Sequence, residues 1–232
     1  LEQNFPKIGL DEAKELNGLF NDADSERHRS AWIQEMNEEA FFKYIYKNEV
    51  LNEFVKTVKN PMFTNLLIKE FYTKILKSRI YDPKNLLKLF FRKSRAQKKR
   101  NYFFEKFIFN EIYTELSWAY LFNGAETWPH TDGKKKILSL LLYFPDKDLS
   151  NNQIENLGVT FFNAEGVKDR TEFLNNGQKC NLKSKSYSYT LPFKKKSLFG
   201  FIRSHKSWHA IEKVNVNENF IRKSININLL LV

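Results

Sequence analysis

The residues in this sequence best suited to chemistry are a histidine and an aspartate near the middle of the chain. His130 and Asp132 stand two positions apart in the segment Trp128-Pro-His-Thr-Asp132. On an extended chain, residues i and i+2 point to the same side, so one imidazole and one carboxylate can reach a common point. A second imidazole from a distant strand would complete two nitrogens and one oxygen on one face of a metal ion. Such a set leaves three positions open and suits iron(II), which must bind a co-substrate and oxygen together.

The second imidazole is expected from His209, which lies 77 residues after Asp132. His209 is followed by the apolar segment Ala210–Val214, which is typical of a strand. His205, four residues earlier, is the alternative ligand, but its neighbours are charged or hydroxylated and indicate a loop. The remaining histidine, His28, lies among charged residues and is expected to be exposed without a role.

A second pair of chemically apt residues follows on the last apolar segment. Arg222 and Ser224 are again two positions apart, 13 and 15 residues after His209. A guanidinium beside a hydroxyl can bind a carboxylate through two charge-assisted hydrogen bonds. Tyr120, on the segment before the metal residues, could donate a hydrogen bond to the same ligand, and core packing is its alternative role.

The order of these motifs resembles the pattern of the iron(II)- and 2-oxoglutarate-dependent dioxygenase superfamily. That pattern is His-x-Asp, followed by a distant His and then by Arg-x-Ser. The segments that carry the resemblance are His130–Phe144, Leu157-Gly-Val-Thr-Phe-Phe162, His209–Val214 and Arg222–Ile225. The resemblance covers about residues 111–232, and the N-terminal hundred residues match no family pattern.

The resemblance implies a double-stranded β-helix, or jelly-roll, core with the metal at its open end. It implies Fe(II), 2-oxoglutarate as co-substrate and O2 as oxidant, with His130, Asp132 and His209 as metal ligands. Arg222 and Ser224 would bind the far carboxylate of 2-oxoglutarate. Because Asp132 is present where a halogenase would carry a small residue, the implied reaction is hydroxylation of a small molecule.

The elements that must position these residues change character along the chain. From residue 10 to about 110, apolar residues recur at spacings of three and four, for example Trp32, Met36, Phe41, Tyr44 and Ile45, which predicts amphipathic helices. From about residue 111, short apolar runs are separated by polar stretches, which predicts antiparallel strands. We therefore expect an α+β protein, with a helical N-terminal region over 1–110 and a jelly-roll core over 111–232. The strands expected in the core are Ile137–Phe144, Val159–Phe162, Tyr187–Phe193, Ser197–Ile202, Trp208–Val214 and Arg222–Val232.

The net charge of +11 is concentrated in one part of the sequence. Residues 51–100 hold 14 Lys and Arg against three acidic residues, and residues 84–100 hold eight basic residues and none acidic. A solvated helix face is one explanation, and a surface that guides an anionic substrate is another. A third is nucleic-acid binding, since Phe90 and Phe91 interleave with the basic residues. We consider nucleic acid unlikely, because the second arginine of the resembling base-repair oxygenases is missing. A jelly-roll binding module without catalysis is the remaining alternative.

Composition limits the class of protein. With 42% apolar and 16% aromatic residues, the chain can bury a sizeable core. The single cysteine, Cys180, cannot form an internal disulfide. No apolar run approaches the roughly 18 residues of a membrane span, and no secretory signal is recognisable. We expect a soluble, cytoplasmic protein, and nothing in the sequence indicates its oligomeric state.

Overall fold

The computed structural model describes most of the chain. The described residues are 1–9, 12, 16, 30–79, 92–94, 110–133, 135–145, 149–162, 187–204, 206–216 and 220–231.

A large, mainly antiparallel sheet forms the centre of the molecule. Its strands, given in spatial order, are β1 Ser30–Gln34, β3 Asn110–Phe122, β10 Ile221–Leu231, β5 Lys136–Tyr143 and β8 Leu198–Ile202. The short strand β2, Arg92–Ser94, pairs with β3 in parallel. The final strand β10 therefore lies at the middle of this sheet, between β3 and β5.

A smaller antiparallel sheet carries the second group of strands. In spatial order it contains β4 Thr127–His130, β9 Trp208–Ile211, β6 Val159–Phe162 and β7 Tyr187–Leu191. Residues of both sheets, such as Leu141 and Tyr143 on β5 and Val159 on β6, belong to one buried apolar cluster, which we term the inter-sheet core. The two sheets therefore face each other across this core.

Helices cover the other face of the large sheet. They are α1 Glu38–Phe41, a π-helical turn Phe42–Tyr46, α2 Glu49–Lys59 and α3 Pro61–Arg79. The short α4, Asn151–Asn156, precedes β6, and Leu157 at its end belongs to the inter-sheet core. Helix α2 begins where the Asn48 side chain accepts a hydrogen bond from the Leu51 amide at 3.2 Å. Its buried residues Leu51, Val55 and Val58 follow helical spacing and join a second cluster with Trp118 of β3, the helix-side core. No helix among the described residues is both long and apolar enough to cross a membrane.

The structure confirms the expected mixture of helices with antiparallel sheets but corrects three local predictions. Residues 30–34 and 92–94 form strands rather than helix. In β1, Ala31 and Ile33 are buried and lie two residues apart, as expected of a strand. This pattern is short, and the apolar residues around it are spaced by three and four, so the segment was predicted as helix. Helix α4 was not predicted, although Ser150 and Gln153 form a reciprocal capping box at its start.

The division at residue 110 stays a prediction. The N-terminal region contributes β1 to the large sheet and much of the helix-side core, so the two regions share a sheet and a core.

Candidate metal centre

Two neighbouring strands of the small sheet bring the two histidines together. His130 ends β4 and lies opposite His209 of β9 in the strand register. Their ring centroids are 4.4 Å apart, with the rings tilted by 50°. Asp132 follows two residues after His130, and one ligand atom from each of the three residues lies within 4.8 Å of the others. The three side chains can therefore contact one metal ion.

The His209 ring is held in one orientation. Its Nδ1 atom lies 3.0 Å from the Ser207 carbonyl oxygen, which can only accept, so Nδ1 carries the proton and donates. The other ring nitrogen, Nε2, then keeps its lone pair for a metal ion. Phe161 and Phe201 pack against the ring with centroids at 5.8 and 4.6 Å. These aromatic rings exclude water from one side of the centre.

Asp132 is held by three donors. The Lys136 ammonium lies 2.8 Å from Oδ1, and the Ser139 hydroxyl donates to Oδ2 at 3.1 Å. The buried Arg203 side chain donates from Nε to the Asp132 carbonyl at 3.0 Å. Burial raises the pKa of Asp132, but the Lys136 ammonium and the two histidines outweigh burial and lower it to about 2. The carboxylate is therefore ionised and oriented before any metal binds.

Two imidazoles and one carboxylate, gathered at one point, could hold a divalent metal ion from one side. With three ligand atoms from the described residues, such an ion would keep positions open for a co-substrate. The nitrogen and oxygen donors fit iron(II) and related divalent ions better than the softer ions that prefer thiolates.

Arg222 lies deep in the inter-sheet core with 1% of its surface exposed. Its Nε donates to the Leu157 carbonyl at 2.6 Å, and its guanidinium carbon lies 5.1 and 5.0 Å from the ring centroids of Tyr143 and Phe193. Nη2 of Arg222 and the Tyr143 hydroxyl are both buried without a hydrogen-bond partner among the described residues. Burial lowers the pKa of Arg222, and the adjacent Tyr143 opposes this shift. A guanidinium nevertheless remains charged in proteins, and no carboxylate of the described residues is among the groups that shift the pKa of Arg222.

Ser224 lies two residues beyond Arg222 on the same face of β10. It is buried, and its hydroxyl donates to Oδ1 of Asn226 at 3.3 Å. The structure thus places Arg222 and Ser224 on one face, as the sequence predicted, and adds Tyr143 from the neighbouring strand β5.

Tyr120 lies on the opposite face of the large sheet. It packs in the helix-side core beside Phe5, with ring centroids 5.3 Å apart, and its hydroxyl donates to the Pro6 carbonyl at 3.0 Å. Burial raises the pKa of Tyr120 above its ordinary value. Tyr120 therefore cannot reach a ligand at Arg222 from this position, and core packing is the role that its contacts support.

Three sequence predictions fall outside the described residues. They concern His28, expected to be exposed, and His205, the alternative metal ligand. The third concerns the basic stretch 84–100, apart from Arg92–Ser94 in β2.

Sequence reasoning missed Lys136, Ser139, Tyr143 and Arg203. A signal for two of them was available, because Ser139 and Tyr143 are the polar residues of the apolar segment 137–144 and are spaced by four. On a strand this spacing puts both on one face, which is the face toward the site.

Comparison with known proteins gives matches of structure alone. No family model matches the sequence, and no curated protein matches it. A prolyl-4-hydroxylase from Pseudomonas putida matches 51% of this chain and 49% of its own, with 15% identity and a TM-score of 0.34. HygX from Streptomyces hygroscopicus, solved with nickel, 2-oxoglutarate and hygromycin B, matches 51% of this chain and 56% of its own, with 9% identity and a TM-score of 0.34.

A third match is SnoK, a non-heme alpha-ketoglutarate-dependent carbocyclase from nogalamycin biosynthesis. It shares 11% identity over 50% of this chain and 49% of its own, with a TM-score of 0.35. The chain thus spans about half the length of the solved structures it matches. Similarity at this level supports no argument about function, which has to come from the geometry of the site itself.

Proposed function

We propose that this chain is an iron(II)- and 2-oxoglutarate-dependent oxygenase that hydroxylates a small molecule. The observation that carries the proposal is a pair of sites on facing sheets. One is the cluster of His130, Asp132 and His209, and the other is the buried Arg222 guanidinium with Nη2 unpaired.

The two sites are spaced for a short dicarboxylate. The two sites are linked by residues on one face of β5. Ser139 donates a hydrogen bond to Asp132, and Tyr143, four residues later, stacks on Arg222. Four residues of strand span about 13 Å. A five-carbon diacid such as 2-oxoglutarate would lie along this face, with one end at Arg222 and the other at the metal residues.

Residues at the inner end would bind the far carboxylate of this co-substrate. Arg222 Nη2 and the Tyr143 hydroxyl are both buried donors without a hydrogen-bond partner among the described residues, and one carboxylate could accept from both. Ser224 lies on the same face and would add a third donor. Phe193 and Tyr143 flank the guanidinium and keep the pair away from water, which strengthens the ionic attraction.

Residues at the outer end would hold the metal, with His209 coordinating through Nε2 and Asp132 through one carboxylate oxygen. When bound, iron(II) with 2-oxoglutarate would supply the activation of O2 that side chains cannot perform. The protein would orient the ligands through Ser207, Lys136, Ser139 and Arg203 and would shield the centre with Phe161 and Phe201.

The strand arrangement supports a double-stranded β-helix for this region. The orders β3-β10-β5-β8 and β4-β9-β6-β7 send successive strands from 110 to 231 alternately between the two sheets, except that β6 and β7 follow each other in the small sheet. We infer that they wind as one jelly roll, with β1 and β2 added at the outer side of β3.

Anaerobic addition of Fe(II) and then 2-oxoglutarate tests the proposal, because the chelate gives a weak visible charge-transfer band. We expect one Fe(II) per chain and a band that appears only with both components. His209→Ala should lose Fe(II) and the band, while Arg222→Met should keep Fe(II) and lose the band at moderate 2-oxoglutarate concentration.

Matched variants provide the controls. Lys223→Met removes the neighbouring cation of β10, which lies over Phe5 on the helix side, and should behave as the unmodified protein. Full metal binding without any band would indicate a metal-binding jelly roll that does not use 2-oxoglutarate. Loss of the band in Lys223→Met alone would contradict the role given to Arg222.

A further inference from the structure

A row of polar side chains crosses the inner face of the large sheet beside the metal centre. In the strand register Ser139 of β5 lies opposite Asn228 of β10, which lies opposite Glu115 of β3. Directly opposed residues in antiparallel strands point to the same face. Because Ser139 donates to Asp132, Asn228 and Glu115 face the same space as the metal ligands.

The next level of the sheet continues this polar surface. There Asn226 of β10 lies opposite Ser117 of β3, which lies opposite Gln34 of β1. Facing positions at the other end of the strands, such as Leu121 and Ala119, are apolar and belong to the inter-sheet core. The inner-face polar row, defined here as Gln34, Glu115, Ser117, Asn226 and Asn228, is therefore confined to the end of the sheet near the metal.

Asn228 is the residue of this row that points most clearly to a ligand. It is a carboxamide with only 5% of its surface exposed, on the face that carries the Asp132 contact of Ser139. Ser117, on the same face of β3, is 4% exposed. Buried polar groups in native proteins are satisfied, and those that are not occur where a ligand or water completes them.

The charges around the site are arranged asymmetrically. The positive groups Lys136 and Arg203 lie on the side of β5 and β8 and are bonded to the carboxylate and carbonyl of Asp132. On the side of β3, Glu115 is partly exposed, and Glu35, whose pKa it raises, is paired with Lys59. Glu115 therefore gives the β3 side of the site a negative charge.

We propose that the inner-face polar row binds the substrate, and that it selects molecules presenting an ammonium or similar N–H donor group to Glu115 and Asn228. The inference rests on the proposed function and names the class of substrate for that site. The side-chain carbonyl of Asn228 and the carboxylate of Glu115 can both accept hydrogen bonds, and the carboxylate can also neutralise a cation.

Strand spacing sets where the reactive carbon would lie. Asn228 is one strand from Ser139 and Glu115 is two strands away, which gives Cα separations of about 5 and 10 Å. An ammonium held between Asn228 and Glu115 would place a C–H group several bonds away next to the metal. The oxidised position is thus expected to be remote from the amine, rather than adjacent to it.

Three probes of equal size separate the alternatives, namely n-butylammonium, n-butanol and butyrate. Mn(II) in the metal centre, with 2-oxoglutarate present, relaxes the protons of any probe that binds nearby, and this relaxation is read by proton NMR. We expect n-butylammonium to be relaxed most strongly. Glu115→Gln should lower its apparent affinity at least about threefold, whereas Glu155→Gln, which alters an exposed acid on α4, should leave it unchanged.

Asn228→Asp provides a second variant with the opposite expected effect. It adds a negative charge at nearly constant side-chain shape. It should strengthen the binding of n-butylammonium and leave the binding of n-butanol unchanged. Equal relaxation of the three probes, a preference for butyrate, or a preference for the ammonium that survives in Glu115→Gln would overturn the proposal. Strongest binding of butyrate is also the result expected if the substrate is anionic, as the basic stretch 84–100 suggests.

Saturation-transfer NMR with the same probes on metal-free protein separates this inference from the proposed function. If Mn(II) or 2-oxoglutarate fails to bind, the proposed function fails, yet the ammonium preference and its dependence on Glu115 are still measured. If both bind and the metal-free protein shows no preference for the ammonium, the polar row is not a site for such molecules.

Discussion

Arg222 is surrounded by groups that stabilise a planar cation but do not neutralise it. Two aromatic rings flank the guanidinium, one carbonyl accepts from Nε, and Nη2 has no partner among the described residues. Burying a charge without a counter-charge is costly, so the carboxylate of the proposed co-substrate would account for this arrangement better than fold stability does.

Replacing Arg222 with Met tests that explanation in the metal-free protein. Because the variant removes an unpaired buried charge and keeps most of the volume, we expect its free energy of unfolding to be unchanged or higher by about 1 kcal/mol. Urea denaturation followed by circular dichroism measures this. A loss of several kcal/mol would mean that Arg222 serves the fold, in the way that a structural ion pair does.

Tyr143 and Ser224 differ in what they can offer a carboxylate. The Tyr143 hydroxyl is unpaired, whereas the Ser224 hydroxyl already donates to Asn226. Tyr143→Phe should therefore weaken 2-oxoglutarate binding by about 1.5–3 kcal/mol and Ser224→Ala by about 1 kcal/mol or less. Titration of the visible band with 2-oxoglutarate compares the two variants, and a larger effect of Ser224→Ala would reverse this assignment.

The candidate ligands could be picked out from the sequence because histidine is rare in it and the spacings are short. Lys136, Ser139 and Tyr143 could not be assigned a role in the same way. Their function depends on which residues of β10 and β4 lie opposite or beside them, and this register is set by tertiary pairing rather than by local spacing.

At the level of elements, strands with strong apolar runs were predictable nearly to the residue. The segment Ile137–Phe144 corresponds to β5 over Lys136–Tyr143, and Val159–Phe162 has the same bounds as β6. The strand β1 was missed because its partner β3 lies more than 80 residues later, and its short alternating pattern is embedded among helical spacings. Tertiary pairing, rather than propensity, makes it a strand.

Two glycines at the strands illustrate how closely elements approach. A Cβ atom at Gly158, just before β6, would lie 2.0 Å from the Leu191 carbonyl oxygen, whereas one at Gly200 would meet the end of the Leu140 side chain at 2.6 Å. A backbone atom cannot move aside as a side-chain methyl can. Gly158→Ala should therefore destabilise the protein by about 1–3 kcal/mol and Gly200→Ala by less.

Thermal and urea unfolding of both glycine variants provide the measurement. Because Gly158 adjoins the strand that carries Phe161, Gly158→Ala should also weaken metal binding, while Gly200→Ala serves as the control. Equal losses of stability would indicate that β6 and β7 separate easily, contrary to their close approach.

For the whole molecule, the charge on Asp132 links stability to pH. Its pKa of about 2 in the fold lies below its ordinary value of 3.8. A carboxyl group with a lowered pKa stabilises the fold above its unfolded pKa, and this contribution disappears as pH falls from about 4 to about 2. The contribution is about 2 kcal/mol at neutral pH.

Comparison with Asp132→Asn isolates this effect. In metal-free buffer, the difference in unfolding free energy between the two proteins should shrink by about 2 kcal/mol between pH 5 and pH 2. Glu155→Gln, an exposed change, should show no such convergence. A difference that stays constant with pH would show that Lys136 does not stabilise the ionised carboxylate.

The central place of β10 in the large sheet has a consequence for how the chain acquires its structure. Its neighbours β3 and β5 come about 100 residues earlier in the sequence, and the two do not pair with each other. Until β10 arrives, each of them exposes an open edge of hydrogen-bonding groups that other chains can extend. Contacts between such distant segments also form slowly. During synthesis, this protein should therefore stay incomplete and prone to aggregation until residues 221–231 have emerged.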